Sequence, residues 1–245
     1  MDIRILDDAT AVAEEAAARI AAWVAARPDA VIAIPTGLTP VELYRRLVAA
    51  HRAGAPDLGG VSWFALDEFQ GVAPDHPGSF RRWLLEALIH PAGLDPERLH
   101  SLRGDAPDPA AEARAYEARI RAAGGLDLAV LGVGRNGHLA FNEPGTPPDS
   151  PTGTRRLTEA TREANAYLFS VGEVPTHGMS MGLGTLAATR RLLLLATGAS
   201  KAAAVQAMTR PETSVTTCPA ALLRDHPDAV ALVDREAAAA LHVVA

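Results

Sequence analysis

One pattern constrains this chain more than any other. Short apolar runs of strand length alternate with Ala-rich stretches of helical length from one end to the other. Residues 3–6 read as a strand and 9–26 as a helix. A buried strand at 31–34 is followed by a helix to about residue 53, a strand at 61–66 and a helix at 79–89. Further on, a helix at 108–123 precedes a strand at 126–131, and a helix covers 158–169. A strand at 192–196, a helix from 200, a strand at 229–233 and a short closing helix at about 237–240 complete the series. Such alternation specifies a mainly parallel sheet with helices on both faces. No Ser- or Gly-rich linker interrupts it. The expected fold is therefore α/β: a single-domain, Rossmann-like, doubly wound sheet spanning residues 1–245.

Composition narrows the class. At 48% apolar and 21% charged residues the chain can build a sizeable core. A net charge of −6 with scattered Arg lacks the basic stripe of a nucleic-acid surface. A single cysteine, Cys218, cannot form an internal disulfide, which fits a reducing compartment. The opening Met1-Asp2-Ile3-Arg4 starts a strand and not a signal peptide, and runs such as residues 192–196 are too short to span a bilayer. A cytoplasmic protein with no membrane or nucleic-acid partner is expected. One oddity remains: of the 23 basic residues only Lys201 is a lysine, and only Asn136, Asn142 and Asn165 are asparagines.

Four loops directly follow predicted strands, and in an open parallel sheet ligands bind beyond the carboxyl ends of the strands. In Thr36-Gly37-Leu38-Thr39-Pro40, Gly37 permits a tight turn, Thr39 is placed to cap the next helix, and Pro40 suits its first position. Free N–H groups there would suit an anion. Leu66-Asp67-Glu68-Phe69 ends a strand with two carboxylates that point to opposite sides, one available as a general base. Residues 132–145, GVGRNGHLAFNEPG, satisfy a glycine pattern used for dinucleotides. No helix follows the last glycine, however, and Pro144, Pro147, Pro148 and Pro151 keep the chain in a loop, so that reading fails. His138 and Glu143 instead suggest an imidazole–carboxylate pair, the carboxylate fixing the tautomer. The other histidines are too scattered for a metal site. In Thr197-Gly198-Ala199-Ser200-Lys201 a cation stands at the first turn of a helix, where the dipole disfavours it unless an anion binds.

These motifs resemble those of the glucosamine-6-phosphate deaminases, in order and spacing, from about residue 3 to 236; residues 134–145 are the most specific part. The resemblance implies conversion of glucosamine 6-phosphate and water to fructose 6-phosphate and ammonia, without a redox cofactor or catalytic metal. It implies that Asp67 moves a proton between C2 and C1, and that His138 opens the pyranose ring, oriented by Glu143 and Asn136. Lys201, Arg162 and the loop Thr36, Gly37, Leu38 and Thr39 would hold the phosphate, with Arg162 carried on a mobile lid at about 152–175. An aldose–ketose isomerisation needs a carboxylate base, and ring opening needs a group that exchanges protons near neutral pH.

The chain departs from the family pattern in places. Asn136 stands where many members have Asp, and Leu38 where many have Gly or a small residue. Ser150-Pro151-Thr152 and Gly153 replace the Ser-Arg-Thr and the basic residue tied to allosteric activation. The chain also ends soon after its last strand. A non-allosteric monomer or small homo-oligomer acting on an amino-sugar phosphate is expected. The competing expectations are a 6-phosphogluconolactonase-like hydrolase, a deaminase for another hexosamine 6-phosphate, and a non-enzymatic sugar-phosphate sensor. Phe141-Asn142-Glu143-Pro144 argues against the first.

Overall fold

The computed structural model describes residues 1–169 and 173–241. Seven strands form one parallel sheet: β1 (Asp2–Leu6), β2 (Val31–Ile34), β3 (Ser62–Ala65), β5 (Leu99–His100), β6 (Leu128–Gly132), β9 (Leu192–Ala196) and β10 (Ala229–Asp234), in the order β1-β10-β9-β6-β2-β3-β5. Alternate residues of each strand enter opposite halves of the core. On β2, Val31 and Ala33 join the half that holds Tyr116, while Ile32 and Ile34 join the half that holds Val12, Ile20 and Leu47. Both faces are covered, so the central strands are apolar throughout and show no polar alternation. The doubly wound α/β expectation is met. Among the described residues, no helix is long and apolar enough to cross a membrane.

The helices follow the sequence with local differences. α1 (Ala9–Ala26) starts at the Asp8 cap, whose carboxylate accepts the Ala11 N–H. Pro40 is the cap residue of α2 (Val41–Arg52), and no side chain caps it. The expected Thr39 cap does not form, because the first turn closes on backbone through Val41 N–H to Leu38 O at 3.4 Å. The predicted helix at 79–89 divides into α3 (Phe80–Leu84), a π-helical turn at Leu85–Ile89 and α4 (His90–Ala92). α5 (Pro109–Ala122) opens on Asp108 as read from the sequence.

A second, three-stranded antiparallel sheet is the main departure from expectation. It comprises β4 (Asp67–Phe69), β7 (Gly153–Arg156) and β8 (His177–Ser180), in the order β4-β8-β7. The predicted strand at 61–66 therefore stops early, and the chain passes from one sheet to the other across Leu66. A cluster of Phe69, Phe80, Phe141, Leu157 and Val174 packs on this sheet. The predicted helix at 158–169 shortens to α6 (Glu159–Ala164) and a 3-10 turn at Ala166–Leu168, as Asn165 Nδ2–H turns back to Thr161 O. The remaining helices are α7 (Leu183–Ala187), α8 (Ala202–Thr209) and α9 (Leu222–Asp225). The expected closing helix at 237–240 is a run of turns, tied by Ala237 N–H to the Asp234 carboxylate at 2.7 Å.

Candidate active site

The four loops singled out in the sequence follow β9, β6, β2 and β3, which are consecutive in the sheet. They therefore line up side by side at its carboxyl edge, where helices and strands part. Two buried tyrosines secure that edge. Tyr44 O–H donates to Pro35 O and Tyr116 O–H to Ala65 O, so carbonyls that leave the ladder still have partners.

Asp67 is the first residue of β4 and is 7% exposed. Burial, and then the neighbouring Glu68 charge, push its carboxyl from 3.8 to about 8. Glu68 turns the opposite way, as strand geometry requires. Its carboxylate accepts Ser79 Oγ–H at 2.7 Å and the N–H groups of Phe69, Phe80 and Arg81 at 2.9–3.1 Å. Glu68 thus anchors the start of α3, and Asp67 is the member of the pair left for chemistry.

The loop after β6 is folded around His138. Gly134 N–H bonds to His138 O and Gly137 N–H to Gly134 O, and no helix begins there. A Cβ on Gly134 would lie 2.2 Å from the imidazole, so glycine is what lets the ring pack against the backbone. Ala140, at φ 49°, is the one non-glycine residue with positive φ among those described, and it sits between His138 and Asn142. Left-handed backbone of that kind persists where surrounding contacts hold it.

Hydrogen bonds settle the imidazole. Asn136 Nδ2–H donates to Glu143 Oε2 at 2.7 Å, so Asn136 Oδ1 is an acceptor. It lies 3.2 Å from His138 N and 2.8 Å from His138 Nδ1. Glu143 Oε2 is 3.3 Å from the same Nδ1. With two acceptors around it, Nδ1 carries the proton, and the Nε2 lone pair is available. The expected His138–Glu143 pair exists, but Asn136 is the nearer partner of the ring. Burial alone would raise the Glu143 carboxyl; hydrogen bonds from His138, Thr161 and Asn136 outweigh it and bring the value to about 2.

Asp67 and this loop are joined through β8. Asp67 pairs with Ser180 in the antiparallel register, and Ser180 Oγ accepts Phe141 N–H at 3.1 Å and Asn142 Nδ2–H at 3.2 Å. Asn142 is fully buried and also donates to Met181 O at 2.8 Å while accepting Arg155 Nε–H at 3.0 Å. Ser180 was passed over in the sequence, because nothing local marks residues 177–180 as the partner of β4.

The anion-type residues divide into two groups. Gly37 adopts φ 97°, Leu38 is 77% exposed, and no described acceptor takes the N–H of Gly37, Leu38 or Thr39. Lys201 ends a 3-10 turn just before α8. It is half-buried, and burial, then the Arg135 charge, lowers its pKa. Gly198 N–H and Ala199 N–H are already held by Asp234 and Glu236, so this loop offers the lysine side chain. Arg135 was missed in the sequence, hidden among many arginines. Arg162 is engaged within its own segment: its Nε–H donates to Val174 O at 3.1 Å and Nη2 lies 3.8 Å from Glu173. It lines a recess of about 550 Å³ with Arg156, Leu157, Glu159, Thr176 and His177, which contains neither Asp67 nor His138. Residues 170–172 of the expected lid lie outside the described residues.

A buried carboxyl, an oriented imidazole and a cationic loop thus stand on neighbouring strand ends of a doubly wound fold, an arrangement suited to acid–base chemistry beside an anion. The profile of the family described as glucosamine-6-phosphate isomerases/6-phosphogluconolactonase matches residues 7–232, and the chain belongs to that family. Within it, the chain is 45% identical to a protein of Shewanella loihica named glucosamine-6-phosphate deaminase, over 98% of this chain and 90% of that one. It is similar to the solved structure of a monomeric glucosamine-6-phosphate deaminase, with TM-score 0.94 and 35% identity over 98% of this chain and 100% of that one. The 6-phosphogluconolactonase from Trypanosoma cruzi shares the fold, with TM-score 0.78 and 20% identity over 98% of this chain and 96% of that one.

Proposed function

We propose that this chain is a glucosamine-6-phosphate deaminase, converting glucosamine 6-phosphate and water to fructose 6-phosphate and ammonia. The observation that carries the reading is the Asn136–His138–Glu143 network, which leaves Nε2 free, joined through Ser180 to the buried Asp67. Nε2 takes the proton of the anomeric hydroxyl and returns one to the ring oxygen as the pyranose opens. Asp67 then removes the C2 proton and delivers it to C1, while a proton passes from the C2 nitrogen to O1. A carboxyl near 8 is a strong base once ionised, and it works best close to its own pKa. The resulting C2 imine takes up water and releases ammonia.

The N–H groups around Gly37 and the Lys201 ammonium bind the 6-phosphate, far from C1, and so contribute positioning. Arg162 joins them when the 152–175 segment closes over bound substrate as a lid, within a single domain spanning 1–245. A monomer in the cytoplasm fits the monomeric relative and the lone buried Cys218. The deciding experiment measures ammonia release from glucosamine 6-phosphate and galactosamine 6-phosphate, beside hydrolysis of 6-phosphogluconolactone. Ammonia from glucosamine 6-phosphate is expected. Lactone hydrolysis without ammonia would overturn the reading, and binding without turnover of any of the three would make the protein a sensor.

A further inference from the structure

Glu143 uses its two oxygens differently. Oε2 faces the catalytic loop, with Asn136 Nδ2–H at 2.7 Å and His138 Nδ1 at 3.3 Å. Oε1 faces α6, where it accepts Thr158 Oγ–H at 2.9 Å and Thr161 Oγ–H at hydrogen-bond distance, with Thr158 N–H at 3.5 Å. Each hydroxyl has one proton. Thr158 gives its proton to Glu143, and its oxygen accepts Thr161 N–H at 3.2 Å as the helix cap. A cap needs only that last bond. It needs neither the Thr161 hydroxyl nor a carboxylate from a distant loop. Thr161 is 4% exposed, so its hydroxyl has no ready alternative in solvent.

We propose that Thr161, supported by Thr158, is a positioning residue for ring opening: its hydroxyl clamps Oε1 of Glu143, fixes the rotation of the carboxylate and so aims Oε2 at His138. The clamp rests on the deaminase reading above. A carboxylate free to rotate would leave Asn136 Nδ2–H and His138 Nδ1–H competing for a moving acceptor, and misplacement of about 1 Å in such a site is worth about 100-fold in rate.

The test compares Thr161→Val and Thr161→Ser in the full chain. Valine keeps the shape and removes the hydroxyl; serine keeps the hydroxyl. With glucosamine 6-phosphate, kcat of the valine variant should fall by about 10- to 100-fold. Inhibition by 2-amino-2-deoxyglucitol 6-phosphate, an open-chain hexitol that needs no ring opening, should stay within about twofold of wild type. Serine should restore most of kcat. Nitrogen-15 NMR of His138 at fixed neutral pH reads the clamp without turnover: wild type and the serine variant should show the Nδ1–H tautomer, and the valine variant a mixture of both. An unchanged tautomer with unchanged kcat, or a loss of activity that serine does not rescue, would overturn the clamp. A wild type that releases no ammonia would overturn the deaminase reading instead, and the tautomer comparison would still decide the clamp.

Discussion

Replacing Asp67 by Asn should remove activity and at the same time stabilise the fold, and the second effect can be worked from the structure. Asp67 is 7% exposed, and burial together with the Glu68 charge raises its carboxyl from 3.8 to about 8. Between those two pH values the folded chain holds a proton at this position that the unfolded chain has released. Stability therefore falls as pH rises through that window and levels off above about 8. Asn is isosteric and never ionises, so it escapes this loss. At about 1.36 kcal/mol per pH unit the full window is worth roughly 5–6 kcal/mol. Urea unfolding of both proteins at pH 5, 6, 7, 8 and 9 measures the difference. The advantage of Asp67→Asn should widen from pH 5 to 8 and then stay constant, while turnover drops by about 10²- to 10⁴-fold, as expected for losing a general base. A difference that is flat from pH 5 to 9, or a variant less stable than wild type at pH 9, would refute the burial argument. Retained turnover would refute the base assignment.

Three further outcomes test other parts of the site. Gly134→Ala places a methyl group 2.2 Å from the His138 ring; the variant should fold but lose about 100-fold in kcat as the ring is displaced, measured by ammonia release. Lys201→Arg keeps the charge but replaces a compact ammonium with a planar fork, and should raise KM about tenfold; an unchanged KM would make Lys201 a surface residue. Asn142→Ala removes a fully buried amide together with its bonds to Ser180 Oγ, Met181 O and Arg155 Nε–H, and should cost about 2–4 kcal/mol in denaturant unfolding.

The rare residues of the sequence proved unequally informative. Asn136 and Lys201 lie on two of the strand-end loops, but Asn142 is a structural hub between β8 and the loop after β6, and Asn165 ends α6. Rarity marked positions where an amide is needed, and it did not distinguish orienting an imidazole from satisfying buried carbonyls. Arg135 shows the reverse failure: an arginine among 22 carries no compositional signal, although its charge reaches Lys201.

By itself the sequence determined the parallel sheet and the four loops that follow its strands. An apolar run buried on both sides, and a glycine that must let an imidazole pack against backbone, are local requirements written in adjacent residues. Only the tertiary structure decided which loops are neighbours, since strand order β9-β6-β2-β3 joins segments as far apart as residues 36 and 201. The small antiparallel sheet was likewise beyond local reading. Its strands have three or four residues each, too short for a period to register, and their pairing is set by hydrogen bonds between residues 67–69, 153–156 and 177–180. That sheet buries Asp67 and so raises its pKa, and the fold around it brings Thr158 and Thr161 onto Glu143. Residue identity supplied the groups, and long-range packing supplied the burial and the partners that give those groups their chemistry.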